Sequence, residues 1–266
     1  MCLDIIYRHS SPRYKLMKEN MSLLHPTTLV LHKDYQFLSD FMYSLPKLFK
    51  EEQGKLIHNG RNQLRVFTVD GENYVVKSFK RPHFINQWVY GLFRPSKAKR
   101  SYEHSLLLQE IGVGVPQPVG YFNIRSGLLF DKSYYVCKES KCTHVYQELF
   151  ERKFDYEEDV LRAVGRLSAL LHNNGYAHKD FGRGNILFEK VGEQVVLELV
   201  DLNRLLIGPL SIEAGCKNLE RLPATPQMHR WIAEEYGKAR GFDVEQCYNL
   251  LVAYRSTQPG KIDGKY

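Results

Sequence analysis

His178, Lys179 and Asp180 are followed by Asn185, five residues beyond the aspartate, and sixteen residues later by Asp201 in the run Val200-Asp201-Leu202-Asn203-Arg204. Moving a phosphoryl group off a nucleotide needs a carboxylate to orient the attacking hydroxyl. It also needs an amide oxygen and a second carboxylate to hold Mg2+ on the phosphates. Asp180 suits the first role, and Asn185 and Asp201 suit the second. The step from Asp180 to Asn185 has the length of the catalytic-loop pattern H-R-D-x-x-x-x-N, with Lys179 where arginine is usual. Taken alone, His-x-Asp reads equally as a turn and Val-Asp-Leu as a strand end with a solvated carboxylate. The two together, in that order, carry the chemical reading.

Such groups must be held by regular elements. Ile186–Phe188 and Val195–Val200 are short β-rich runs around Glu189–Gln194, where Gly192 suits a turn, so a hairpin would set Asn185 and Asp201 side by side. Upstream, Tyr74-Val75-Val76-Lys77 follows the turn Asp70-Gly71-Glu72-Asn73 and reads as a strand offering Lys77 to phosphates. Ser101–Ile111 reads as a helix stopped at Gly112, with Glu103 in its first turn as counter-charge for Lys77. The bland alternative makes Lys77 and Glu103 ordinary surface charges. Between Lys55 and Val69 there is no G-x-G-x-x-G; Gly60 permits a tight turn near phosphate, and Arg61 is a candidate phosphate contact or a solvated turn residue. Arg183, inside the loop, could stabilise charge on the transferred group or form a structural ion pair. His178 reads as buried scaffold, and Arg204 as a partner for the carboxylates or for another acidic residue.

The remaining chain reads as mixed helix and loop over 26–50, strands over 55–79, helix over 84–111 and a strand pair over 119–138 turning around Asp131-Lys132-Ser133. Glu157–Asn173 has a helical stripe of Val160, Leu161, Val164, Leu167, Leu170 and Leu171, and Gln227–Lys238 and Val244–Tyr254 read as two closing helices. Glu139, just past the strand pair, is the hinge candidate and a candidate cofactor contact. Residues 1–25 read as a polar extension, disordered or foreign to the fold. Residues 26–138 would form an N-lobe of strands plus the Glu103 helix, and 139–266 a C-lobe with the catalytic loop and metal pair.

Composition bounds the class. The five cysteines are odd in number and scattered, which favours free thiols over a disulfide framework or zinc site. With no apolar run near membrane-spanning length and no secretory pattern in the first twenty residues, a cytoplasmic location is expected. The net charge of +7 has one source: Asn73–Tyr102 holds seven Lys/Arg and no Asp or Glu, and without it basic and acidic residues balance. Its aromatic stretch, with Ile85, Trp88, Val89 and Leu92 at helical spacing, suits an anchor on anionic lipid as well as it suits packing on the N-lobe. No nucleic-acid recognition module is present, so no such partner is expected.

These residues resemble the lipopolysaccharide kinases of the Kdo/WaaP group, with the related InaA-type proteins. The resemblance rests on the His-x-Asp loop ending in Asn185-Ile186-Leu187 and on Asp201-Leu202-Asn203-Arg204 in place of Asp-Phe-Gly. Arg81-Pro82, Ser96–Glu103 and Gly114-Val115-Pro116-Gln117-Pro118-Val119-Gly120 add to it, over about residues 50–255. It implies an α+β, protein-kinase-like two-lobed fold with a small β-rich N-lobe and a mainly helical C-lobe. It also implies ATP and Mg2+, with a sugar hydroxyl of the lipopolysaccharide inner core, Kdo or heptose, as acceptor at the cytoplasmic face of the inner membrane. A lipid A precursor bearing core sugar would be the acceptor molecule. Two departures stand out: Lys179 for arginine and a slightly long step from Asn185 to Asp201. A small-molecule phosphotransferase of the aminoglycoside or choline sort, an atypical protein kinase, and a non-catalytic kinase-like scaffold remain the alternatives.

Overall fold

The computed structural model describes residues 28–80, 95–126 and 129–256. The expectations for residues 1–25 and for the aromatic stretch around Trp88 lie outside them. The chain divides into two compact units: one reaches Glu103 and resumes over Gln117–Glu139, and the other comprises His104–Pro116 and the chain from Ser140 onward.

The first unit is built on six antiparallel strands in the spatial order β1-β5-β6-β4-β3-β2. They are β1 (Thr28–Leu31), β2 (Lys55–Asn59), β3 (Asn62–Val69), β4 (Glu72–Phe79), β5 (Pro118–Ser126) and β6 (Leu129–Lys138). The β3–β4 turn is two residues, Asp70 and Gly71, both at positive φ (51° and 80°), the mirror-image turn that matches strand twist. Alternation along β4 buries Tyr74 and Val76 on one face, where helix α1 (Ser39–Lys50) supplies Met42, Leu45 and Phe49. Lys77 therefore faces the other way, in a cross-strand row with Tyr135 of β6 and Leu64 of β3. That face meets the start of helix α2 (Lys97–Glu110): the Tyr102 and Tyr121 rings lie 5.7 Å apart, and Lys97 Nζ lies 6.0 Å from the Phe79 ring. The expected turn at Asp131–Ser133 is corrected, because β5 ends at Ser126 and β6 already starts at Leu129.

The second unit is mainly helical. Helix α3 (Glu157–Asn173) has the bounds its periodicity predicts and buries Val160, Leu161, Val164, Leu167 and Leu171 against Ile232, Ala233 and Tyr236 of α5 (Pro226–Arg240). Two elements flank α5: α4 (Ile212–Asn218), which begins at the N-cap Ser211, and α6 (Val244–Ser256). Three small strand pairings complete the unit. Strand β9 (Ile186–Val191) pairs with β10 (Gln194–Leu199) and with β7 (His144–Val145), while β8 (Tyr176–His178) pairs with β11 (Leu205–Ile207). The predicted β9–β10 hairpin is present with a tighter turn, Gly192-Glu193, so its strands run closer together in sequence than Glu189–Gln194 suggested. The described cysteines, Cys137, Cys142, Cys216 and Cys247, are buried thiols that form no disulfide.

Candidate active site

Two strand pairings in the second unit place the chemistry. In the β8–β11 pair, His178 stands opposite Leu205 and Lys179 N donates to Arg204 O at 2.9 Å, so the residue after β8 lies beside the residue before β11. In the β9–β10 hairpin, Ile186 pairs with Leu199 and Val200 N donates to Asn185 O at 3.0 Å. Asn185 and Asp201 thus leave the same end of one hairpin.

Hydrogen bonds lock the loop between them. The buried His178 ring accepts from Asp180 N at 3.0 Å through Nδ1, and Nε2 lies 3.1 Å from Val200 O. The proton therefore sits on Nε2 and the imidazole ties Asp180 to the strand end before Asp201; with both nitrogens used, it is scaffold rather than a proton carrier. Asn185 Nδ2 donates to Asp180 O at 2.8 Å, which leaves the amide oxygen as its remaining acceptor. From the helical side, Asn218 Nδ2 donates to His178 O at 2.9 Å, and its Oδ1 accepts from His172 Nε2 at 3.1 Å; His172 Nδ1 in turn meets the Tyr236 hydroxyl at 2.9 Å. Burial pushes the His172 pKa down to about 4, so this chain is neutral at pH 7.

Each residue of Asp201-Leu202-Asn203-Arg204 has a separate task. Asp201 adopts φ of 60°, left-handed backbone that costs a non-glycine residue about 1 kcal/mol. Leu202 is buried in the core, and its carbonyl meets His104 Nδ1 at 2.5 Å. Asn203 Nδ2 braces Asp201 Oδ1 at 2.5 Å. Arg204 Nη1 reaches both carboxylate oxygens of Asp180, at 3.0 and 3.1 Å, and Arg221 Nη1 reaches Oδ1 of the same group at 3.1 Å. Asp180 thus carries two guanidinium partners, each about half-exposed.

Among the described residues no group of three or more His, Cys, Asp or Glu gathers as a metal cage. One amide oxygen and one carboxylate at a hairpin end suit Mg2+, which takes few protein ligands and completes its shell with phosphates and water. The donor set therefore fits that ion. Arg183 is exposed on the loop, and its carbonyl accepts from Gln147 N at 3.1 Å.

In the first unit, Lys77 is half-buried, with Nζ 5.5 Å from the Phe79 ring. Glu103 is exposed, and its carboxylate lies 3.5 Å from Lys99 Nζ one turn earlier; the buried face of α2 is Ala98, Ser101, Tyr102, Ser105 and Leu108. Gly60 and Arg61 form the tip of the β2–β3 hairpin, where Gly60 N donates to Asn62 O at 3.2 Å. Glu139 N donates to Asn73 O at 2.9 Å, and its carboxylate accepts from Asn73 Nδ2 at 2.9 Å, so the backbone at this position is tied to β4. Sequence reasoning missed Asn203, Asn218 and Arg221. Asn203 had a signal in its closeness to Asp201; the other two had none, because they act from 40 and 41 residues away.

The model of the lipopolysaccharide kinase (Kdo/WaaP) family matches residues 49–236. Among solved structures, the chain is similar to WaaP in complex with acyl carrier protein, with 19% identity and a TM-score of 0.60 over 86% of this chain and 97% of that one. It is also similar to the Rio2 kinase of Chaetomium thermophilum, solved as an ADP/Mg2+-phosphoaspartate complex, with 12% identity and a TM-score of 0.51 over 92% and 79%. At such identities the likeness is one of fold, and the fold is protein-kinase-like. No curated protein matches.

Proposed function

The chain belongs to the lipopolysaccharide kinase (Kdo/WaaP) family, and from that premise we propose that it transfers the γ-phosphoryl group of ATP to a sugar hydroxyl of the lipopolysaccharide inner core, on Kdo or heptose. The supporting observation is the hydrogen-bonded circuit that fixes Asp180 and Asn185 in one loop and joins it to the strand end carrying Asp201.

In this reading Asp180 orients the acceptor hydroxyl and receives its proton late, because the transition state is loose. Asn185 and Asp201 hold Mg2+, which when bound neutralises charge on the nucleotide phosphates. Lys77 binds phosphate oxygens, and Glu103 positions it by exchanging its Lys99 contact for Lys77. Gly60 and Arg61 at the hairpin tip cover the phosphates, the backbone at Glu139 receives adenine, and Arg183 steadies the transferred group. A sugar attached to a lipid A precursor places the reaction at a membrane surface. We assign the chain to the cytoplasmic face of the inner membrane, held peripherally by the basic segment. Among the described residues no helix is long and apolar enough to cross a membrane.

The test compares lipid A with attached core from cells with the chain, without it, and with Asp180→Ala. Mass spectrometry should show one phosphate on Kdo or heptose lost in the last two. Identical spectra in all three would move the assignment to a small-molecule acceptor. Equal ATP turnover by wild type and Asp180→Ala would remove the role given to Asp180. Sedimentation with anionic vesicles tests the surface contact: a Trp88, Lys97, Lys99 and Arg100 neutral variant should stay in the supernatant, and full co-sedimentation would refute the anchor.

A further inference from the structure

We propose that Arg204 and Arg221 form an anion-reading subsite for the acceptor, so that the sugar phosphorylated beside Asp180 carries a negative charge of its own, as a carboxylate or as a phosphate already attached. The inference rests on the kinase reading above and adds the acceptor class to it.

Two guanidinium groups approach one carboxylate oxygen, Arg204 at 3.0 Å and Arg221 at 3.1 Å, although one charge-assisted partner suffices to orient Asp180. Local charge stays positive: Asp180 and, on the strand end tied to the same loop, Asp201 supply two carboxylates, against Arg204, Arg221 and the loop residues Lys179 and Arg183. Each guanidinium has five N–H donors in a planar fork, and the contacts to Asp180 use only Nη1 of either residue. Both side chains are about half-exposed, at 52% and 54%, so the remaining donors face solvent beside the proposed base. The stem of Arg221 lies against the loop itself: a Cβ on Gly182 would sit 3.9 Å from the Arg221 Cβ. A guanidinium with one edge on Asp180 and the other on an acceptor anion would set the distance from hydroxyl to carboxylate, which is the positioning that phosphoryl transfer demands. Arginine suits this task better than lysine because its fork binds carboxylate or phosphate through two parallel bonds.

The same geometry disfavours a cationic acceptor. An amino sugar or a quaternary amine arriving at Asp180 would meet two arginines before it met the carboxylate. A neutral heptose would leave the outer donors on water. Kdo carries a carboxylate, and a heptose meets the requirement only if it is already phosphorylated.

The experiment crosses enzyme charge with acceptor charge. Full-length wild type, Arg221→Gln, Arg204→Gln and Arg221→Lys are assayed on a Kdo glycoside, its carboxyl methyl ester, a neutral heptoside and that heptoside bearing a phosphate monoester. Thermal melts confirm that each variant is folded. Wild type should prefer the charged member of at least one pair by about ten- to a hundredfold in kcat/KM, the range for a charge-assisted hydrogen bond. Which pair shows the preference identifies the source of the charge. Arg221→Gln should bring that ratio close to one, chiefly by raising KM for the charged acceptor, and Arg221→Lys should restore part of it. If the glutamine variants lose activity equally on charged and neutral members, the arginines only hold the loop and the subsite is refuted. If wild type phosphorylates none of the four, the sugar-kinase reading fails and the subsite fails with it.

Discussion

At the scale of single residues, Asp201 combines two demands that are usually separate. Its backbone is left-handed at φ of 60°, and its carboxylate is braced by Asn203 at 2.5 Å. Strain of this kind persists only where the surroundings fix it, and it gathers at functional sites. Asparagine tolerates left-handed backbone as well as aspartate does, so Asp201→Asn should keep the fold while removing the charge that the proposed role offers to Mg2+. Melting should shift by less than about 2 °C. Turnover should fall by a hundredfold or more, with a higher Mg2+ requirement, since loss of one electrostatic stabiliser commonly costs that much. A variant as active as wild type at low Mg2+ would separate Asp201 from the metal. His178 shows the complementary case, a residue in the most recognisable motif of the chain whose two ring nitrogens each meet a backbone group.

At the scale of elements, close backbone approach decides where the site-bearing hairpin lies. Gly114 precedes β5 and contacts β10 directly: its carbonyl accepts from Leu199 N at 2.9 Å, and a Cβ there would come within 2.0 Å of Leu197 O. Gly120, within β5, allows the same approach to β1, where a Cβ would lie 2.3 Å from Val30 O. Gly114→Ala must therefore push β10, and with it the strand end leading to Asp201. The expected cost is about 1–3 kcal/mol, as for overpacking, and a melting temperature lower by several degrees. Unchanged melting would contradict the contact. The elements that sequence patterning located are those whose signal is periodic or local. Helix α3 shows a 3.6-residue stripe over seventeen positions, and the β9–β10 hairpin shows two apolar runs around Gly192. The β8–β11 pair escaped because strands of three residues have no period, and α4 escaped because seven residues make barely two turns. The spacing of Asp180, Asn185 and Asp201 was readable for the same local reason. Arg221 and Asn218 reach the loop through tertiary folding alone.

For the whole molecule, buried neutral histidines set the response to acid. His172 and His229 are 3% and 6% exposed, and burial, first among the causes, pushes each pKa down to about 4; Arg255 adds to the effect at His229. In the unfolded chain each returns to about 6.5. Because the folded pKa is the lower one, the unfolded state binds more protons between these values. Stability is therefore full above about pH 6.5 and declines as pH falls toward 4. A shift of this size corresponds to roughly 3 kcal/mol per histidine at the end of the window, and about 2 by pH 5. The depressed carboxylates Glu148 and Glu235 follow the other sign rule. Burial opposes their shift, while hydrogen bonds outweigh it: from Val145 N and Arg152 at Glu148, and from Arg166 and Arg162 at Glu235. Their contribution is present above the ordinary carboxylate pKa and is lost only as pH falls below about 4.5, so the interval from 6.5 to 5 belongs to the histidines. Both histidines and the Tyr236–His172–Asn218 chain lie in the unit that holds Asp180, so acid loosening starts beneath the loop that carries Asp180. Melting temperature measured from pH 7.5 to 5 should drop by about 8 °C or more. The slope should be steepest below 6.5, and turnover should fall in parallel. A level melting profile across that interval would show that the two imidazoles are not held neutral.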